Sequence, residues 1–200
     1  MDHIGDAAYE FLRNLFNCAK VLRLVDFCRW TDRAPKEIGK LIHLRFLKLS
    51  SRSLKRLPEE VCELRNLQFL SVLGCIFLEK LPDGMGKLIN LRYLITSNCG
   101  NLKHYPKGIA RLNCLRELDC IIAQGSKDPK KFSVGDLENL GLLREELKVK
   151  LVGNTFHVEE AKGAKLHNKI HLQNLTILNA RLASSAFLDA LNPHPNTRFL

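Results

Sequence analysis

The chain has 200 residues, 46% of them hydrophobic, which is enough for a single domain with a continuous core. Its 31 Lys and Arg against 21 Asp and Glu give a formal net charge of +10, which suits acidic partners, nucleic acid or anionic surfaces and decides nothing about fold. No apolar run is long enough to span a bilayer, and seven cysteines without a C-x-x-C pair argue against a disulfide framework.

The first residues, MDHIGDAAYEFL, place Asp2 and Asp6 where a secretory signal needs a basic region. No signal peptide is expected, and residues 1–14 read as a lead-in. A weak apolar frame follows at Phe16, Ala19, Leu22, Val25 and Phe27. Pro35, Pro58, Pro82 and Pro106 then recur at steps of 23, 24 and 24 residues. Three residues after each stands Ile38, Val61, Met85 or Ile109. The frames continue through Leu41, Leu44, Leu47 and Leu49, then through Leu64, Leu67, Leu70 and Val72. The next two are Leu88, Leu91 and Leu94 with Thr96 in the last slot, and Leu112, Leu115 and Leu118 with Cys120 in the last slot.

Residues 15–122 therefore read as five regular repeats. Residues 123–136 read as a polar loop, because Gln124 to Lys131 (QGSKDPKK) holds glycine, proline and charge. Residues 137–200 read as irregular repeats. The sixth is Leu137, Leu140, Leu143, Leu147 and Val149, and the seventh is Leu166, Leu172, Leu175 and Ile177. Leu188, Leu191 and Leu200 begin an eighth that ends without a cap.

Pairs such as Leu47 and Leu49 have period two, so both side chains of a short strand point into a core. The preceding three-residue steps suit a 3₁₀-like return segment, opened by a proline whose missing N–H costs little there. A period of about 20–29 residues with an L-x-x-L-x-L core is that of a leucine-rich repeat. The predicted fold is α/β: a horseshoe solenoid with a parallel sheet on the concave face and helical or 3₁₀ segments on the convex face.

Catalytic and nucleotide motifs are missing. There is no P-loop, no G-x-S-x-G and no H-E-x-x-H. His167 and His171 have helical ligand spacing but lack a third ligand, so no metal, cofactor or enzyme activity is expected. Cys75 and Cys99 both follow strands, 24 residues apart, where a small donor bonds backbone between coils. Cys62 and Cys114 read as small core or surface thiols. Reduced cysteines point to an intracellular, cytoplasmic location.

The expected binding surface is the concave face. One column of that face is Leu24, Phe46, Phe69, Tyr93 and Glu117. Between the strand leucines stand Asp26, Lys48, Ser71, Ile95 and Asp119. One place earlier, Arg45, Arg92 and Arg116 flank the rings, with Arg23 and Gln68 in the same column. Aromatic residues beside arginines are enriched at protein interfaces. The same rings also stack on one another and stabilise the sheet, and either reading stands. Stacking of single-stranded bases is a weaker reading. The basic residues are scattered along the sequence, apart from Lys127, Lys130 and Lys131 in the loop.

The run Leu78 to Leu94 (LEKLPDGMGKLINLRYL) resembles the repeats of plant intracellular nucleotide-binding, leucine-rich-repeat disease-resistance proteins. Phe132 to Gly153, Glu160 to Leu178 and Ala190 to Asn196 resemble later segments of their coiled-coil class. Glu145 replaces a glycine of that pattern, and Thr197 replaces a leucine. The resemblance implies a non-catalytic recognition module whose partner is a pathogen effector, a guarded host protein or a nucleotide-binding domain that it restrains. It also implies that the chain is a fragment or a truncated paralogue, since the nucleotide-binding domain is absent. A general intracellular scaffold without an immune role is the alternative. Nucleic acid is a disfavoured partner.

Overall fold

A computed structural model describes residues 2–28, 32–125 and 128–199. Helix α1 (Asp2–Cys18) buries Leu12 and Phe16 against the first coil. Phe16, the first member of the weak frame, therefore belongs to this helix and reaches the core from it. Strands β1 (Leu24–Cys28), β2 (Phe46–Ser50), β3 (Phe69–Ser71), β4 (Tyr93–Ile95) and β5 (Glu117–Leu118) form one parallel sheet in chain order. The repeat sets the register: Leu24, Phe46, Phe69, Tyr93 and Glu117 stand side by side.

Each of the four prolines opens a 3₁₀ turn, Lys36–Lys40, Glu59–Glu63, Asp83–Lys87 and Lys107–Arg111. Pro35 has φ −64° and Pro58 φ −68°, values the pyrrolidine ring fixes in advance. The turns pack closely: a Cβ on Gly86 would lie 2.8 Å from the carbonyl oxygen of Gly108. The frame leucines, including Leu41, Leu64, Leu67, Leu88, Leu91 and Leu112, are fully buried between coils.

The second half forms its own parallel sheet from β6 (Cys120–Gly125), β7 (Glu145–Gly153), β8 (Leu172–Leu178) and β9 (Arg198–Phe199). Short helices α2 (Val158–Gly163) and α3 (Ser185–Leu191) take over the return side. Two sequence expectations change here. The predicted loop shortens, because Ala123, Gln124 and Gly125 belong to β6, paired with Leu151, Val152 and Gly153. The last slot of the fifth coil holds Ile121, fully buried and opposite Val149, rather than Cys120. One extra residue, Asp119, separates β5 from β6 and shifts the register. Lys127 and Leu200 lie outside the described residues.

Thiols and amides tie the coils together where backbone partners run out. The Cys75 thiol donates to the Leu49 carbonyl and the Cys99 thiol to that of Val72, both at 3.1 Å. Asn66 and Asn90 side chains donate to the Ile42 and Arg65 carbonyls at 2.8 Å. Cys62 is buried and Cys114 exposed. Thr197, which stands in a leucine slot, is buried and donates its hydroxyl to the Leu172 carbonyl at 2.7 Å.

One leucine slot holds a charge. Lys169 takes the place of Leu41, Leu64, Leu88, Leu112 and Leu140 in the earlier coils and is 1% exposed. Its ammonium donates to the Leu137 and Leu140 carbonyls at 2.6 and 2.9 Å. Burial pulls its pKa down to about 8.

Leu67→Ala should cost about 2–5 kcal/mol in chemical denaturation, as for other buried leucine truncations. The Leu137 and Leu140 carbonyls also accept backbone N–H groups, so Lys169→Met leaves neither unpaired. That variant should be about 1–3 kcal/mol more stable than the wild type at neutral pH, because it removes a buried ammonium. The lysine's folded pKa lies below its unfolded value, so between the two the unfolded chain holds more protons than the folded one and raising the pH favours folding. The wild type should therefore close the gap between about pH 8 and 10.5. Burial lifts the Cys62 and Cys99 thiols to about 12, so unfolding exposes acidic protons above pH 9 and both chains lose stability there. The difference between the two chains, from paired urea titrations across this range, isolates the lysine.

Candidate partner-binding face

The concave sheet places most of the predicted columns as strand geometry requires. Phe46 and Phe69 stack with centroids 4.2 Å apart and planes 7° from parallel, and Tyr93 tilts against Phe69 at 6.1 Å and 38°. All three rings are half-buried. They support one another and still present surface, so the two sequence readings describe the same residues. Leu24 extends the apolar column and is 60% exposed. Arg45 and Arg92 are exposed, and Arg116 is half-buried. Their backbone N–H groups are used in the ladder between coils, bonding to Arg23, Gln68 and Arg92 carbonyls at 2.8–2.9 Å. Lys48 and Asp26 form an ion pair at 3.0 Å across β1 and β2. Ile95 is half-buried on β4.

Two residues of the second column are not on an open surface. Ser71 is 2% exposed, shaded between the longer Lys48 and Ile95 in register, and its hydroxyl accepts the Leu73 N–H at 3.3 Å. Asp119 is half-buried and already committed. Its carboxylate accepts the N–H groups of Thr96, Ser97 and Cys120 at 3.0, 2.7 and 2.8 Å, and the Ser97 hydroxyl as well. It closes the end of β4 where β5 has stopped. Behind it the buried Tyr105 hydroxyl bonds to Thr96 and donates to the Cys120 carbonyl at 2.8 Å. Asp119 is thus a brace at the sheet junction, and the chain direction alone does not reveal it.

The junction also opens a cavity of about 130 Å³ lined by Tyr93, Arg116, Glu117, Arg144 and Glu145. Arg144 and Glu145 come from the sixth repeat, and sequence spacing did not place them on this face. The available signal was Glu145 standing where the resemblance expects glycine. Its φ is +55°, the left-handed region that glycine prefers. Burial pushes the Glu117 carboxyl up, helped by the charges of Glu145 and Asp119. His167 and His171 are exposed, and no His, Cys, Asp or Glu cluster suited to a metal ion occurs among the described residues. No described helix is long and apolar enough to cross a membrane.

A leucine-rich-repeat-region family model matches residues 8–200. The chain belongs to the leucine-rich-repeat family. This fold is ordinarily a non-catalytic scaffold that binds protein partners. A probable disease resistance protein of Arabidopsis thaliana is 36% identical over 75 residues, 36% of this chain and 8% of that protein. The leucine-rich-repeat chain therefore matches less than a tenth of that relative's length. Among solved structures, a leucine-rich-repeat protein of Leptospira interrogans is 20% identical, covering 94% of this chain and 56% of its own, with a TM-score of 0.48. An internalin of Listeria monocytogenes is 14% identical over 88% and 57%, with a TM-score of 0.48. A plant peptide hormone receptor solved in complex with RGF2 is 16% identical over 94% and 37%, with a TM-score of 0.41.

Glu145→Gly should raise stability by up to about 1 kcal/mol, since release from a left-handed backbone outweighs the entropy glycine loses on folding. An unchanged or lower urea midpoint would show that the glutamate side chain repays its backbone conformation.

Proposed function

We propose that this leucine-rich-repeat domain is a protein-recognition module in plant defence, with the concave ring column as its binding centre. The observation that carries this is the half-exposed run Phe46, Phe69 and Tyr93, rigidified by stacking and flanked by the arginines 45, 92 and 116. Pre-stacked rings lose little freedom on binding, so their burial converts efficiently into affinity. Glu117, Glu145 and Arg144 at the junction supply polar specificity beside that apolar centre, and Lys48 with Asp26 supplies it at the other end. The partial match to a probable disease resistance protein supports the defence context. In that context the partner is a pathogen effector or a guarded host protein, and the same scaffold restrains a nucleotide-binding domain. Thiols that serve as hydrogen-bond donors between coils fit a reducing, intracellular compartment.

The triple variant Phe46→Ala, Phe69→Ala, Tyr93→Ala should retain the solenoid and lose about tenfold or more in affinity for an identified partner, as expected for aromatic hot spots. Isothermal titration with that partner, alongside circular dichroism, reads both. A folded triple variant with unchanged affinity would remove the concave column from the binding site.

A further inference from the structure

Basic residues that look scattered along the sequence are stacked by the fold. Between each strand and the following proline, the chain runs along one lateral edge of the solenoid. A second backbone ladder joins these segments. Lys55 N–H bonds to the Asp32 carbonyl and Glu79 N–H to that of Lys55, both at 3.0 Å. Arg33 pairs with Arg56, and Arg56 with Lys80, as parallel bridges. The ladder continues as Lys103 N–H bonds to the Glu79 carbonyl at 3.4 Å, and beyond it Lys131 forms an antiparallel bridge with Pro106. The His104 imidazole has its pKa lowered by burial and by the charges of Lys131 and Lys80.

The result is a stripe of positive charge, roughly one cation per coil at the ~4.8 Å spacing of hydrogen-bonded strands. Arg33 at one end is engaged, lying 4.6 Å over the Tyr9 ring and 4.0 Å from Asp6. Arg56 reaches Glu79 at 3.4 Å with its side chain 69% exposed, and Lys131 reaches Asp128 at 3.3 Å. Lys55, Lys80, Lys103 and Lys130 are exposed and make no ion pair among the described residues. Exposed Ile76 and Phe77 border the stripe in the turn that leads into Glu79 and Lys80.

We propose that this lateral edge binds an extended acidic segment of a protein partner, lying along the solenoid axis with an apolar side chain on Ile76 and Phe77. The stripe is linear and about 20 Å long over five coils, a length that six or seven extended residues span. Glu79 and Asp32 interrupt it, so a continuous polyanion meets repulsion at fixed points while a peptide with a cation at those points does not. Among the described residues Phe77 is the one exposed ring beside the stripe, whereas a single nucleic-acid strand is held by a ring for successive bases. A bilayer presents a plane of charge and gains little from a line with carboxylates inside it. The surface is separate from the concave face and does not depend on its assignment.

The test uses the full chain and a fluorescein-labelled peptide of roughly ten residues, alternating glutamate with serine and carrying one central leucine. An oligouridylate of the same length and phosphatidylserine-containing vesicles serve as the other arms, in about 0.15 M salt. The peptide should bind by fluorescence anisotropy more tightly than RNA or vesicles do. Arg56→Glu/Lys80→Glu should weaken it by about tenfold or more, and the milder Arg56→Gln/Lys80→Gln by a lesser factor in the same direction. Phe46→Ala/Phe69→Ala should leave it within about twofold, the change expected when a substitution lies outside the contact. No binding by the wild type, peptide affinity unchanged in folded Gln and Glu variants, or tighter binding of RNA or vesicles would each overturn the proposal.

Discussion

No single coil of this chain can bury its own leucines. Every coil has one wall on each side open until a neighbour covers it, so burial and order propagate along the stack. Leu64 and Leu67 are fully buried only because coils before and after them exist. The hydrogen bonds between coils obey the same constraint. Strand pairing, the Cys75 and Cys99 thiols, and the Asn66 and Asn90 amides each satisfy a carbonyl of the preceding coil. Small donors suffice there because the backbones are already held close by the packing. Even the turns share partners: the Glu59 carboxylate accepts the N–H groups of Asp83 and Gly84, at 2.9 and 3.2 Å, in the next coil.

Where the stack changes pitch, polar chemistry replaces leucine. The extra residue at Asp119 and the longer sixth repeat break the sheet in two, leaving backbone donors of Thr96 and Ser97 without strand partners. Their cost is met by one carboxylate, which keeps the junction closed, with Tyr105 behind it. The junction is also where a charged cavity opens on the concave side. These facts are connected. Uniform coils give a uniform surface, and only a local mismatch lets side chains from non-equivalent positions, Glu117 and Glu145, come together.

The regular half was legible in the sequence because its period is strict and its prolines mark one point of every turn. The columns Phe46, Phe69 and Tyr93 follow from alternation along a strand and parallel register, both of which the period determines. The strict period ends at residue 119, although the sixth frame, Leu137 to Val149, and the seventh, Leu166 to Ile177, are buried as well. A one-residue insertion is invisible to a leucine count, because Cys120 and Ile121 are both plausible occupants of a core slot. Ser71 was misplaced for a related reason: alternation gives the direction of a side chain, while its exposure depends on the length of its neighbours. Lys169 shows the opposite limit. Its slot could be found by spacing, but a lysine in a leucine slot reads as a gap until the carbonyls that receive its ammonium are located.

Periodic stacking also changes how charge should be read. In an ordinary domain, residues about 24 apart in sequence have no fixed spatial relation. In a solenoid they are nearest neighbours across one coil step, at strand spacing. Composition therefore understates the local field, because a modest excess of lysine and arginine becomes a line when it falls at one phase of the repeat. The phase decides which surface the charge occupies. At the strand phase, arginines border the aromatic column; at the phase before each proline, arginine and lysine form the lateral stripe. One period thus builds two surfaces of different chemistry from a single scaffold, and each can change without disturbing the leucines between them, since the core occupies other phases of the same repeat.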